Sequence, residues 1–403
     1  MLVGRSKRAR RWWLVLLLAA VCSLGACSDG QKAVDNFLDE FDPDDEDGDD
    51  VDVLLDELLL RDCRDEEALE GAQGAEPVVV SFKATMAVES GGVFGPEEPI
   101  YVRLPQRLDG VSVTVAAGAD ETLLALLDDG TLIDVPDASP SKGRTLNFPF
   151  NAESILEDTC LAIYPMVDGG QNGQQVDVHV VAKGQAGMEQ GFPVQMAIVG
   201  DTEFSDDALD AMANFANNTF VSHGAPPIII DEVFEVEGPS IIDDEGDELD
   251  QLIDEISAES GLAINVIILQ GFEEPGVLGF AGGVPGPVGV QTVTSAVVLS
   301  IDAHLDAEGD LDTDELGSTL AHEIGHQLGL FHTTEESGDD FDPIADTDQC
   351  DLDNDANDDG IVEFDECADV DGTNLMFYES GSEATSALSP TQVQVLSAHP
   401  MAF

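Results

Sequence analysis

The sequence predicts a multi-domain chain: an all-β, sandwich-like domain, then an α/β domain with a mixed twisted sheet, a histidine-bearing helix and a C-terminal helix. Three observations lead there. From about 76 to 187, short β-branched or alternating runs are separated by turn residues. From about 190 to 403, strand-like runs alternate with helical periodicity. The 403-residue length accommodates two or three domains of ordinary size.

The N-terminus fits an export signal. Arg5, Lys7, Arg8, Arg10 and Arg11 precede the apolar run WWLVLLLAAVCSLGAC. A membrane span needs about 20 apolar residues, so this shorter run, ending in small residues, reads as a secretory signal. Leu24-Gly25-Ala26-Cys27 resembles the bacterial lipobox. The resemblance implies a signal peptide over 1–26, lipidation of Cys27 and a lipid anchor in the bacterial cell envelope, with Ser28 favouring the outer membrane or surface. Residues 27–75 are dominated by Asp and Glu and read as an acidic tether, within which Leu54, Leu55, Leu58, Leu59 and Leu60 fit one short helix.

Charge narrows the partners. There are 14 Lys+Arg against 83 Asp+Glu, and no Lys or Arg follows Lys183. A formal net charge of -69 repels nucleic acid and anionic membrane and favours cations. Membrane contact is therefore expected through the lipid alone, and nucleic acid is excluded. The sequence leaves the oligomeric state unknown.

In the 76–187 region, VVVSFKATMAV, PIYVRLP, VSVTVAAG, CLAIYPMV and VDVHVVAKG read as strands, with Asp129-Gly130 as a hairpin turn. His179 lies in one strand with no partner nearby and reads as structural. Beyond 190, VQMAIVG, PIIIDEVFEVE, LAINVIILQ and AVVLSID read as strands. Ser205 caps a helix carrying Leu209, Met212, Phe215 and Phe220. A loop or edge strand spans VLGFAGGVPGPVG, a second helix runs from Asp312 or Thr313 to Leu328, and Ser389, Pro390 and Gln392 open a last one.

The second helix carries the chemistry. His322 and His326 are four apart and project from one face, so two imidazoles can hold one ion. Glu323 sits beside that face as a general base within reach of water. Gly329 can stop the helix with a positive φ and let the chain bring His332 round as a third ligand. This H-E-x-x-H-x-x-G-x-x-H pattern resembles the metzincin zinc proteases. That resemblance implies a zinc-dependent endopeptidase acting on proteins or peptides, and a methionine turn beneath the zinc, which NLMFY supplies at Met376. Tyr378, two positions on, is either the tyrosine that stabilises an oxyanion in some metzincins or a packed aromatic.

Within the metzincins the chain is most similar to the pappalysin family, through His332-Thr333, IADTDQC, NLMFY and LSPTQ. The likeness covers roughly 190–403. It implies a preference for basic residues at the cleaved bond, and a strand near Gly279 to Val288 is expected to pair with an extended substrate. Phe377 stands where the family often has an acidic residue.

Between Cys350 and Cys367 lies an acidic loop with calcium-loop spacing. Asp355, Asn357 and Asp359 offer side-chain oxygens, Ile361 its carbonyl, and Glu366 a bidentate carboxylate, around a turn at Gly360. Calcium is the expected ion, in an isolated loop over 350–367 pinned by a Cys350–Cys367 disulfide. Cys63 remains open between a latency thiol, a bond to Cys160 and no role. The rival reading of the chain is a catalytically idle calcium-binding surface protein; an intact Glu323 beside three histidines argues for the enzyme.

Overall fold

A computed structural model describes residues 77–403 except 91–92, 96–99, 104–107, 117–122, 127–131, 135–143, 155–159, 166, 169–170, 185–190, 244–245, 259–260, 358 and 380–385. The expected signal, Cys27, the tether with its leucine helix and Cys63 lie outside the described residues.

The first part is built of antiparallel strands. One four-stranded sheet orders Val78–Thr85, Gln175–Gly184, Leu108–Ala116 and Arg144–Phe148. A second orders Ile100–Arg103, Cys160–Pro165, Leu123–Leu126 and Leu132–Asp134. Alternation along the strands puts Val111, Val113, Val115, Val176, Val178 and Val180 inward, where they share a core with Val102, Leu161 and Ile163 of the second sheet. His179 points the other way and bonds Ser81 Oγ at 2.8 Å across the strand pair.

The second part has three layers. A five-stranded sheet orders Ile228–Val236, Phe192–Val199, Ile264–Leu269, Val297–Ser300 and Gly279–Ala281. The first four strands run parallel, and Gly279–Ala281 closes the edge antiparallel. Central strands such as INVIIL are buried along their whole length, which is why they read as continuous apolar runs. The expected strand over Gly279 to Val288 is cut short after Ala281. Gly282, Gly283 and Gly286 contribute no side chains to pack, and the prolines at 285 and 287 lack N–H donors, with Val284–Pro285 cis.

On one face of the sheet lie the helices Asp206–Ser222 and Thr313–Gln327. They approach closely at Gly317, where a Cβ would stand 2.7 Å from Phe215 Cβ and 2.9 Å from Met212 O. Asp247–Ser257 covers the other face through Leu249, Leu252, Ile253 and Ile256. That helix was not expected, although its apolar residues repeat at three- and four-residue spacing. The segment carried no assignment from the sequence; its Asp and Glu occupy the face opposite the apolar one. Pro390–Ala398 forms the last helix, with Ser389 and Gln392 in a reciprocal capping box.

Candidate active site

Asp312 starts the histidine helix by accepting from the backbone N–H groups of Asp314 and Glu315. The helix end is fully accounted for. Leu330 N donates to Gly325 O and Gly329 N to His326 O, both at 2.9 Å, which is the Schellman pattern around a Gly329 with φ +101°. Gly286 N donates to Gln327 O, and Asn147 Nδ2 reaches Leu328 O from the β sheets at 3.2 Å. No terminal carbonyl is left bare, and the chain reverses sharply enough to return His332 over His322 and His326.

The three imidazoles meet at their Nε2 atoms. His332 Nε2 lies 3.2 Å from His322 Nε2 and 3.0 Å from His326 Nε2. Every Nδ1 faces an acceptor: Leu375 O at 2.6 Å from His322, Leu330 O at 2.8 Å from His326, and Glu335 Oε1 at 2.9 Å from His332. A carbonyl or carboxylate only accepts, so the proton of each neutral ring sits on Nδ1 and the Nε2 lone pairs turn toward one point. Burial, and then the neighbouring His332, push His322 down to about 3; burial also holds His326 well below its ordinary value. Three convergent nitrogen donors fit a zinc ion with one position left open. Among the described residues, these three are the only group of three or more His, Cys, Asp or Glu whose ligand atoms all lie within 4.8 Å of one another.

The floor of the site is the turn at Met376. Thr333 N donates to Met376 O at 2.9 Å, and Leu375 O orients His322, so one turn holds the first and third histidines. Asn374 shapes that turn by accepting from Met376 N at 2.9 Å, and its side-chain amide pairs with Gln392 of the last helix. Gly325, between the first two histidines, leaves room for Met376 Sδ.

Glu323 is 7% exposed and faces the edge strand. Burial pushes its carboxyl up to about 8, partly offset by a backbone hydrogen bond from Ala281. Tyr378 lines the same cleft, but its hydroxyl donates to Val362 O at 2.9 Å; burial and then Glu379 push it up to about 12. Phe377 is buried against Val362, Cys350 and Cys367. The cleft, of about 380 Å³, runs along Leu278–Ala281 and past Val284, Thr319 and the histidines. Among its described lining residues Glu323 is the one carboxylate.

The acidic loop holds itself by its own oxygens. Asp355 Oδ2 accepts from Gly360 N at 2.8 Å, and Glu366 accepts from Ala356, Asn357 and Glu363 N–H groups. Asn357 and Asp359 each accept from the N–H two residues on, Asp359 from Ile361. Cys350 and Cys367 are bonded, with Val362 fully buried beside them. Asp355 Oδ1 is buried without a hydrogen-bond partner.

Several contributors escaped the sequence. Glu335 had a signal, a carboxylate three residues past a ligand, which places it beside the His332 ring. Asp342 and Asp371, behind the turn, each keep one buried oxygen without a partner, and burial pushes them up to about 7 and about 6. His304 joins Ser300 O to Thr319 Oγ1 on the histidine helix. Nothing near Asn147 in the sequence connects it to a histidine 185 residues away.

No protein-family model matches the chain, and no curated protein matches it either. Solved structures share its shape distantly. Mature mirolysin of Tannerella forsythia, solved with a cleaved peptide, is 16% identical over 54% of this chain and 96% of its own, at a TM-score of 0.35. Archaemetzincin from Methanopyrus kandleri is 16% identical over 36% of this chain and 76% of its own, at 0.25. Metalloproteinase-II from Bacteroides fragilis is 11% identical over 55% of this chain and 62% of its own, at 0.31. Likenesses this distant carry no argument about what the site does.

Proposed function

We propose that the chain is a zinc-dependent endopeptidase of metzincin type, pappalysin-like, held at a bacterial envelope by a lipid on Cys27. The observation that carries the enzymatic reading is the convergence of three Nε2 lone pairs, each ring fixed through Nδ1, in one cleft with a buried Glu323. The Leu24-Gly25-Ala26-Cys27 stretch supports the anchor.

His322, His326 and His332 would hold the ion. Zinc in such a cradle is a Lewis acid that polarises a carbonyl and acidifies water. A cation in that cradle would favour the ionised form of Glu323, which takes a proton from the attacking water and passes it to the amine nitrogen as the C–N bond breaks. The outer edge of Gly279–Ala281, apart from the Ala281 N–H bonded to Glu323, offers backbone groups that align an extended peptide beside Glu323. Tyr378 stays a protonated donor at neutral pH; released from Val362 O, its hydroxyl serves the oxyanion that develops at the carbonyl.

The test is zinc stoichiometry with casein and gelatin cleavage by the full chain. One zinc per chain and cleavage abolished by Glu323→Gln are expected, with the zinc retained. Full activity in Glu323→Gln would sink the reading.

Calcium in the 355–366 loop is a second, separable proposal, supported by the sequence spacing of Asp355, Asn357, Asp359 and Glu366 and by the unpartnered Asp355 Oδ1. Calcium titration of wild type and Glu366→Gln should show one saturable site lost in the variant; identical isotherms would remove it.

A further inference from the structure

We propose that Asn147, on the strand Arg144–Phe148, is a positioning residue for the zinc site: it clasps the turn that carries His332 to the other two histidines. The inference rests on the zinc reading above and extends it to the β sheets, which otherwise have no part in the chemistry.

Asn147 is 1% exposed, and its Nδ2 donates to Leu328 O at 3.2 Å. Leu328 caps the helix, so this carbonyl has no partner within the helix and would otherwise be buried bare. Asn147 Oδ1 is itself buried without a partner. An amide with one end unsatisfied is a costly occupant of a core position, where an apolar side chain of similar size costs nothing in hydrogen bonds. What the amide contributes is its donor, and that donor goes to the turn.

The fit is also steric. A Cβ on Gly329 would stand 3.0 Å from Asn147 Nδ2 and 3.5 Å from Pro285 Cγ. The turn therefore sits between the β sheet on one side and the proline loop on the other. The sheet in turn is fixed to the rest of the chain. Val181 belongs to the same core cluster as Leu328 and Leu330, and Lys183 Nζ donates to Ser397 O at 3.0 Å. Gly110 lies so close to Ala398 that no Cβ fits between them. A sheet held this way is a rigid platform, and Asn147 transmits that rigidity to residues 328–332. His332 gains the most, because it alone of the three histidines lies beyond the helix end.

The experiment uses the full chain with Asn147→Ala and Asn147→Val; the second suits a strand and carries no donor. Ser112→Ala, at the buried partner position on the neighbouring strand, is the control for loss of packing alone. Zinc affinity is measured by competition with a chromogenic chelator, and amide hydrogen exchange at Gly329 and Leu330 in the zinc-free protein. Both Asn147 variants should bind zinc roughly tenfold more weakly, as is usual when a ligand's outer support is lost. Their turn amides should exchange faster, while Ser112→Ala matches wild type in both. Folded Asn147 variants with wild-type zinc affinity and wild-type exchange would overturn the proposal. If wild type takes up no zinc, the enzymatic reading fails, and unchanged exchange in the variants still decides against the clasp.

Discussion

Gly325 and Met376 occupy one space: a Cβ on Gly325 would stand 2.6 Å from Met376 Sδ, closer than such atoms come. The glycine sits one residue before His326, and the methionine carbonyl binds Thr333 N, one residue after His332. Substitution at either position therefore reaches two ligands at once.

Gly325→Ala should lower stability by about 1–3 kcal/mol, the usual cost of overpacking, and weaken zinc binding. Urea unfolding with and without zinc measures both. Met376→Ala in the same chain should recover part of the loss, because the clashing sulfur is gone. Additive effects of the two changes would show that the contact is not the cause.

Glu335 orients the third histidine of the cluster through His332 Nδ1. Glu335→Ala removes the acceptor that fixes the ring's tautomer, so zinc affinity should fall about 10–100-fold. Chelator competition reads this directly, and an affinity within twofold of wild type would show that water replaces the carboxylate.

The Cys350–Cys367 bond closes a loop with a sequence separation of 17 residues. Replacing both cysteines by serine should cost about 3 kcal/mol on the loop-closure argument. The loss should also loosen Val362 and Phe377, which pack on the sulfurs under the Met376 turn. Equal denaturation midpoints with and without reductant would argue against the bond.

His399 gives a pH test away from the metal. Burial, then the nearby Lys183, push it down to about 3 from an ordinary 6.5. Its Nδ1 accepts from Met401 N, so any added proton would charge a buried ring. The unfolded chain binds more protons between those values, so the stability associated with neutral His399 is present above 6.5 and lost as pH falls toward 3. That slope is about 1.4 kcal/mol per pH unit. His399→Gln should lack it, leaving a stability difference from wild type that changes with pH across this window. A difference that stays constant from pH 7 to 4 would refute the assignment.

The histidine cluster was legible because its parts are written locally. Two histidines at helical spacing, a glutamate between them, a glycine stop and a third histidine follow from backbone periodicity and the φ freedom of one residue. The same holds for the Ser205, Asp312 and Ser389 caps, which depend on side chains reaching N–H groups two or three residues away. The helix at Asp247–Ser257 was equally local and received no assignment, although Leu249, Leu252, Ile253 and Ile256 form an apolar stripe among its carboxylates.

The sequence alone determined the three histidines, their order and the turn that unites them. Tertiary structure decided what holds each ring: Leu375 O for His322, Glu335 for His332, Met376 against Gly325, and Asn147 beneath the helix end. It also placed the Tyr378 hydroxyl on Val362 O rather than in the open cleft. Apart from Glu335, three residues from His332, these are contacts between segments tens to nearly two hundred residues apart. No periodicity encodes them, because they arise only when sheets and helices pack and each buried polar group must find a partner.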